Sequence, residues 1–222
     1  MRLSFTLPFA LAVFVVACRG GADTSTTADS AAVQRADSIA RARQDSVNRA
    51  SPGYIVDSIL PVEEEIRRFR AAVGGPALTG LEHASASREA LVQRLAAAVA
   101  ANDTTAVQRT VVTAREFIDL VYPESPYTKP PYRQAPDLVW TLISEPSNSG
   151  RRRLLAKLGG KPLTVSAPTC PGAPDLQGRN RLWQSCTVQY TSNADSARTG
   201  RLFGSILERD GRFKFMSLAN QY

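Results

Sequence analysis

The feature that most constrains this chain is a change of period at Gly159-Gly160. Before that pair, apolar residues recur at three- and four-residue steps, the spacing of helices. After it they alternate, the spacing of strands. Val62, Ile66, Phe69 and Val73 form one helical stripe, with Glu63, Glu64 and Glu65 in its first turn and Gly74-Gly75-Pro76 as its stop. A second helix starts near Ser85 or Ser87 and carries Leu91, Leu95 and Val99. Asn102-Asp103 breaks it and offers a cap to a third, whose stripe is Val107, Val111, Ala114, Ile118 and Val121. Beyond Gly160, Leu163–Val165 reads as a short strand and 182–191 as a longer one. Asp210-Gly211 marks a hairpin between 201–208 and 212–218. Helices first and an antiparallel meander second predict an α+β fold, with leading helices packed on a C-terminal antiparallel sheet.

Between the two regimes, five prolines fall in residues 123–136, interleaved with Tyr127 and Tyr132. This segment is expected to be an irregular crossover lying against the domain. Leu138–Ile143 is a buried strand or a short helix, which periodicity alone does not separate at that length. Residues 144–150 read as a loop, and Arg151–Leu158 as a short helix capped by Gly159-Gly160.

The N-terminal end has another character. Arg2 precedes a charge-free, mostly apolar run from Leu3 to Ala17, as long as a secretory h-region and too short to span a bilayer. The run ends in Val15-Val16-Ala17-Cys18, which resembles the lipobox of bacterial lipoproteins. The resemblance covers residues 1–18 only. It implies cleavage before Cys18, a lipid on the Cys18 thiol, and attachment to a membrane. Arg19, and not Asp, follows the cysteine, which by the sorting rule of enteric lipoproteins implies the outer membrane, facing the periplasm.

Three cysteines are an odd number for an exported chain. If Cys18 carries lipid, Cys170 and Cys186 remain, and in an oxidising compartment one disulfide between them is the simplest expectation; free thiols are the alternative. Residues 19–50 lack aromatic residues and proline and are nearly neutral. Asp37, Arg41, Asp45 and Arg49 would alternate along one side of a helix, each pair contributing only about 0.2–0.5 kcal/mol. The expected organisation is a signal over 1–17, a flexible or partly helical tether over 18–52, and a single domain over 53–222. A docking helix is the alternative to the tether.

Chemistry is sparse. With one histidine, His83, no metal site is expected, and no dinucleotide or phosphate-loop signature calls for a cofactor. Glu116 and Asp119 sit at i and i+3, but the stripe through Ile118 places Glu116 on a solvated face. The formal charge of +7 leaves the domain basic, densest at Arg151, Arg152 and Arg153. For an exported chain this suggests another envelope protein or an anionic polymer as partner and argues against nucleic acid. By element order the domain also resembles, over about 55–222, the NTF2-like and cystatin-like folds, which implies a cone-shaped pocket between helix and sheet. Two functions follow: a non-catalytic binding or structural domain, or an enzyme using a buried carboxylate or Tyr in such a pocket.

Overall fold

The computed structural model describes residues 25–50, 60–193 and 196–220. The apolar run of 3–17, the lipobox, Cys18 and the expected boundary at 51–53 lie outside the described residues. The chain divides into two units, 1–58 and 59–222. In the first, α1 covers Ser25–Ala50. Its 26 residues extend about 39 Å at the rise of an α-helix. Val33, Ile39 and Val47 are exposed on it. No helix among the described residues is long and apolar enough to cross a membrane.

The second unit is α+β, with helices in its first half and antiparallel strands in its second. The helix α2 (Val62–Val73) starts after Pro61 and ends at Gly74, whose φ of +74° suits glycine. Ser87 caps α3 (Arg88–Ala100), its side chain accepting from the Ala90 amide, and Asp103 caps α4 (Thr104–Arg109) through the Ala106 amide. The third predicted helix is not continuous. Thr110–Val112 leaves the helix, and the chain resumes in a short turn, α5 (Ala114–Glu116), opened by a Thr113/Glu116 capping box. A π-helical turn (Phe117–Val121) and two 3₁₀ turns (Tyr122–Glu124, Pro126–Thr128) follow. The proline segment is irregular as expected, but its Tyr127 and Tyr132 are exposed, while Tyr122, just before it, is buried.

Residues 136–158 form one helix, α6 (Pro136–Leu158), through the stretch read as a loop. Pro146 removes one backbone donor from it. The acceptor four residues earlier belongs to Leu142, which is exposed, so water can take the donor's place. The small residues that looked like loop punctuation serve a crossing: the Ser147 hydroxyl accepts from the Leu218 amide at 2.9 Å, and Asn220 donates to the Gly150 carbonyl at 2.9 Å. A Cβ on Gly150 would stand 1.7 Å from the Leu218 carbonyl oxygen.

The strands form two antiparallel sheets. β1 (Leu163–Val165), β4 (Val188–Ser192) and β5 (Arg198–Gly200) pair in the order β1-β4-β5. β2 (Asp175–Gln177), β3 (Asn180–Trp183), β6 (Ile206–Arg209) and β7 (Arg212–Phe215) pair in the order β2-β3-β6-β7. The strand expected over 182–191 is therefore two strands in different sheets. It breaks at Ser185, whose φ is +54°, and Cys186 lies in the break, not in a strand. Sequence parity ran through this break because apolar residues occur on both sides of it. The β6–β7 hairpin forms at Asp210-Gly211 as expected, with Arg209 opposite Arg212.

Both faces of the four-stranded sheet are covered. Ile206, Phe215 and Trp183 face a core shared with α3, the end of α6 and the three-stranded sheet. Leu207, Leu182 and Met216 face a second core with Phe117, Ile118 and Tyr122. The outer edge of β7 is closed too. Ser85 exchanges two backbone bonds with Phe213, and the Val112 amide donates to the Phe215 carbonyl at 2.9 Å. This pairing accounts for the split third helix: Thr110–Val112 gives up helical bonds to close an exposed sheet edge.

Candidate functional site

One face of the four-stranded sheet carries polar residues where alternation would put apolar ones. Asn180 and Arg209 are register partners, and Lys214 lies opposite Leu207. Against them runs the segment 116–124. Lys214 is 1% exposed and its ammonium donates to both oxygens of fully buried Glu116, at 2.9 and 2.7 Å. The same carboxylate accepts from the Glu82 amide at 2.8 Å and the Thr113 amide at 2.7 Å, so its acceptor sites are occupied. Burial pushes Lys214 below the ordinary lysine range, against the pull of the neighbouring carboxylate.

Eight residues further on, Glu124 accepts from buried Arg209 at 2.9 Å. The same guanidinium nitrogen reaches the Leu120 carbonyl and the Asn180 side-chain oxygen at 3.0 and 2.9 Å. Asn180 also donates to the Leu120 carbonyl at 2.8 Å. The Asp119 side chain is 4% exposed, accepting from Arg70 at 2.6 Å and from the Leu78 amide at 2.8 Å. The expectation that Glu116 lies on a solvated face is thus overturned. Ile118 and Val121 are buried as their stripe requires, but Phe117, Leu120 and Tyr122 are buried too, so the segment is covered on nearly every side and a position opposite the stripe still lies in the core. Tyr122, fully buried, donates to the Gln134 carbonyl at 2.7 Å, and burial with the nearby Glu65 carboxylate raises its hydroxyl to about 12.

The other expected residues are placed as follows. Cys170 and Cys186 form a disulfide with Cα atoms 4.1 Å apart, and Cys186 is fully buried. Arg151, Arg152 and Arg153 lie in the middle of α6, not at the start of a helix. Successive helical residues point about 100° apart, so the three fan around the helix. Each has a different partner: Gln108, Ser149 and Asn220 respectively. His83 is exposed, with a φ of +52°. Among the described residues no group of three His, Cys, Asp or Glu side chains could hold a metal ion.

Two cavities among the described residues stand out. One, of about 220 Å³, lies between the middle of α6 and the Val111–Val112 segment; Trp140, Ile143 and Met216 line it beside Ser144 and Asn148. The other, of about 140 Å³, lies between the last turn of α6 and the β4–β5 end of the three-stranded sheet. Lys157, Lys161 and Arg198 supply its charge, and Tyr190, Ser192 and Ser196 line it as well. On β4, Val188, Tyr190 and Ser192 share the buried face, so Ser192 occupies a core position. Its hydroxyl is buried without a hydrogen-bond partner. Such a group costs about 1–3 kcal/mol in lost solvation.

Sequence reasoning named none of Lys161, Arg198 or Ser192 as a site. Lys161 and Arg198 lie 37 positions apart, on separate elements whose approach is a tertiary fact. The available signal was Ser192 in phase with Val188 and Tyr190, a hydroxyl where the strand pattern called for a hydrocarbon. The chain matches no known protein family, no curated protein and no solved structure.

Proposed function

We propose that this chain is an envelope lipoprotein, anchored through Cys18 in the outer membrane and facing the periplasm, whose second unit is a non-catalytic binding domain. The observation that carries the reading is how the buried and half-buried acid–base groups are used. Glu116, Asp119 and Glu124 are each held by a cation and by at least one backbone amide or a guanidinium shared with other acceptors. Tyr122 is pushed away from neutrality and hydrogen-bonded to the backbone. An enzyme working through a buried carboxylate or Tyr needs that group free and poised near the working pH. The groups displaced from their ordinary values, including Tyr122 and Lys214, line neither cavity. The cavities instead offer hydrogen-bond donors, cations and apolar walls, which bind and orient.

Two measurements test this. Fatty-acid labelling should mark the wild-type protein and fail on Cys18→Ser; label retained on Cys18→Ser refutes the anchor. Cross-linking in intact cells, followed by purification of the full chain, should recover one stoichiometric adduct with an envelope component. Consumption of an envelope metabolite by the purified chain, with no adduct, would favour the enzyme.

A further inference from the structure

We propose that the cavity between the end of α6 and the β4–β5 end of the three-stranded sheet is a binding site for a phosphate group, with Ser192, Lys161 and Arg198 as its ligating residues. The proposal deepens the binding-domain reading above and rests on it.

Ser192 is the starting point. A buried hydroxyl without a partner is rare, because its lost hydration has nothing to replace it. Ser192 is one of the residues lining an open cavity, so a ligand oxygen entering it meets the residue whose hydroxyl lacks a bond. A hydroxyl both donates and accepts, so Ser192 alone does not fix the ligand's charge. The surrounding groups do. Lys161 donates one proton to the Lys157 carbonyl at 2.8 Å, which holds its ammonium at the wall and leaves two protons for a ligand. Arg198 opens β5 opposite Tyr190, is exposed, and offers a planar fork of donors suited to two oxygens of one anion. Lys157, Asn193 and Ser196 line the cavity too. No acidic residue is among the described residues lining it.

The cations alone have another explanation, since lysines near a helix C-terminus complement the negative end of its dipole. That account leaves Ser192 and Arg198 unexplained. An oxyanion with three or more acceptor oxygens meets an ammonium, a guanidinium and a hydroxyl together, and phosphate does so better than a two-oxygen carboxylate. A phosphate on a small soluble molecule and one on a lipid headgroup present the same chemistry here.

The test uses the full mature chain in a neutral detergent, titrated with inorganic phosphate by calorimetry at constant ionic strength. Saturable one-site binding is expected. Ser192→Ala and Arg198→Gln should each weaken it roughly tenfold or more, the loss expected for a hydrogen bond to a charged group. Without phosphate, Ser192→Ala should melt no lower than wild type, because its hydroxyl has no bond to lose; this separates ligand loss from misfolding. Acetate and galacturonate should bind at least tenfold more weakly than phosphate. Glucose 6-phosphate and phosphatidylcholine vesicles containing phosphatidic acid identify the source: competition by the sugar phosphate supports a soluble ligand, and binding to the vesicles supports a headgroup. Absence of phosphate binding by the wild type, or equal binding by both variants, overturns the site. A stoichiometric envelope adduct alongside such a failure would remove this site alone and leave the binding-domain reading standing.

Discussion

Removing the Lys214 ammonium strands a carboxylate in the core. Glu116 and Lys214 are 0% and 1% exposed and only 2.7 Å apart at their closest oxygen and nitrogen. A pair this deep contributes little net stability over a well-packed apolar substitute, because desolvating both charges offsets their attraction. Breaking it from one side is another matter. In Lys214→Met the carboxylate keeps the Glu82 and Thr113 amides but loses its counter-ion. The expected loss is about 3–5 kcal/mol. For a domain of this size that lowers the melting temperature by roughly 6–20 °C. The double variant Glu116→Gln/Lys214→Met carries no buried charge. One side-chain oxygen then serves amides that had used two, so a cost of about 1–3 kcal/mol remains. Denaturant titration of wild type, both single variants and the double variant gives the cycle. The double variant should be more stable than Lys214→Met alone. If the double loss equals the sum of the single losses, the two groups are uncoupled and the reasoning is wrong. A loss below about 1 kcal/mol in Lys214→Met would also refute it, since water would then be reaching a site described as closed.

Gly150→Ala should be strongly destabilising, by about 3 kcal/mol or more, because its methyl would overlap the Leu218 backbone and not a movable side chain; thermal melting reads it. Tyr122→Phe should cost about 1 kcal/mol at neutral pH for the lost bond to Gln134. The Tyr122 hydroxyl, raised from 10.0 to about 12, keeps its proton longer folded than unfolded, so its contribution is whole below pH 10 and is lost as pH rises from 10 to 12. Wild-type stability should therefore fall more steeply than that of Tyr122→Phe across that window, in denaturant titrations at each pH; parallel curves would refute the burial argument. Replacing Cys170 and Cys186 together with Ala should lower stability by roughly 3 kcal/mol, and thiol titration of the denatured, unreduced wild type should find neither cysteine reactive.

The local elements were legible in the sequence wherever a local rule sufficed. Ser87 and Asp103 cap helices, Gly74 stops one and Asp210-Gly211 turns a hairpin, because each acts on backbone atoms a few residues away. The change of period at Gly159-Gly160 sufficed for the α+β class. The pairing of Cys170 with Cys186 was expected on the reading that sets Cys18 apart, and the disulfide is present. What the sequence could not determine was set by contacts between distant segments. Thr110–Val112 is helical by pattern but leaves the helix, because the edge of β7 needs hydrogen-bond partners and no local signal registers that need. Glu116 meets Lys214, 98 positions away, because the segment 116–122 is enclosed on nearly every side, which no helical stripe can register. Residues 144–150 look like a loop because Ser147 and Gly150 are small, yet they are small so that 218–220 can cross the helix there. The 182–191 run reads as one strand, and only the positive φ at Ser185 divides it between two sheets. The cavity at Ser192 is the furthest case. Its hydroxyl, the Lys161 ammonium and the Arg198 guanidinium come from three separate places in the chain, and their common role arises only where α6 ends against the sheet.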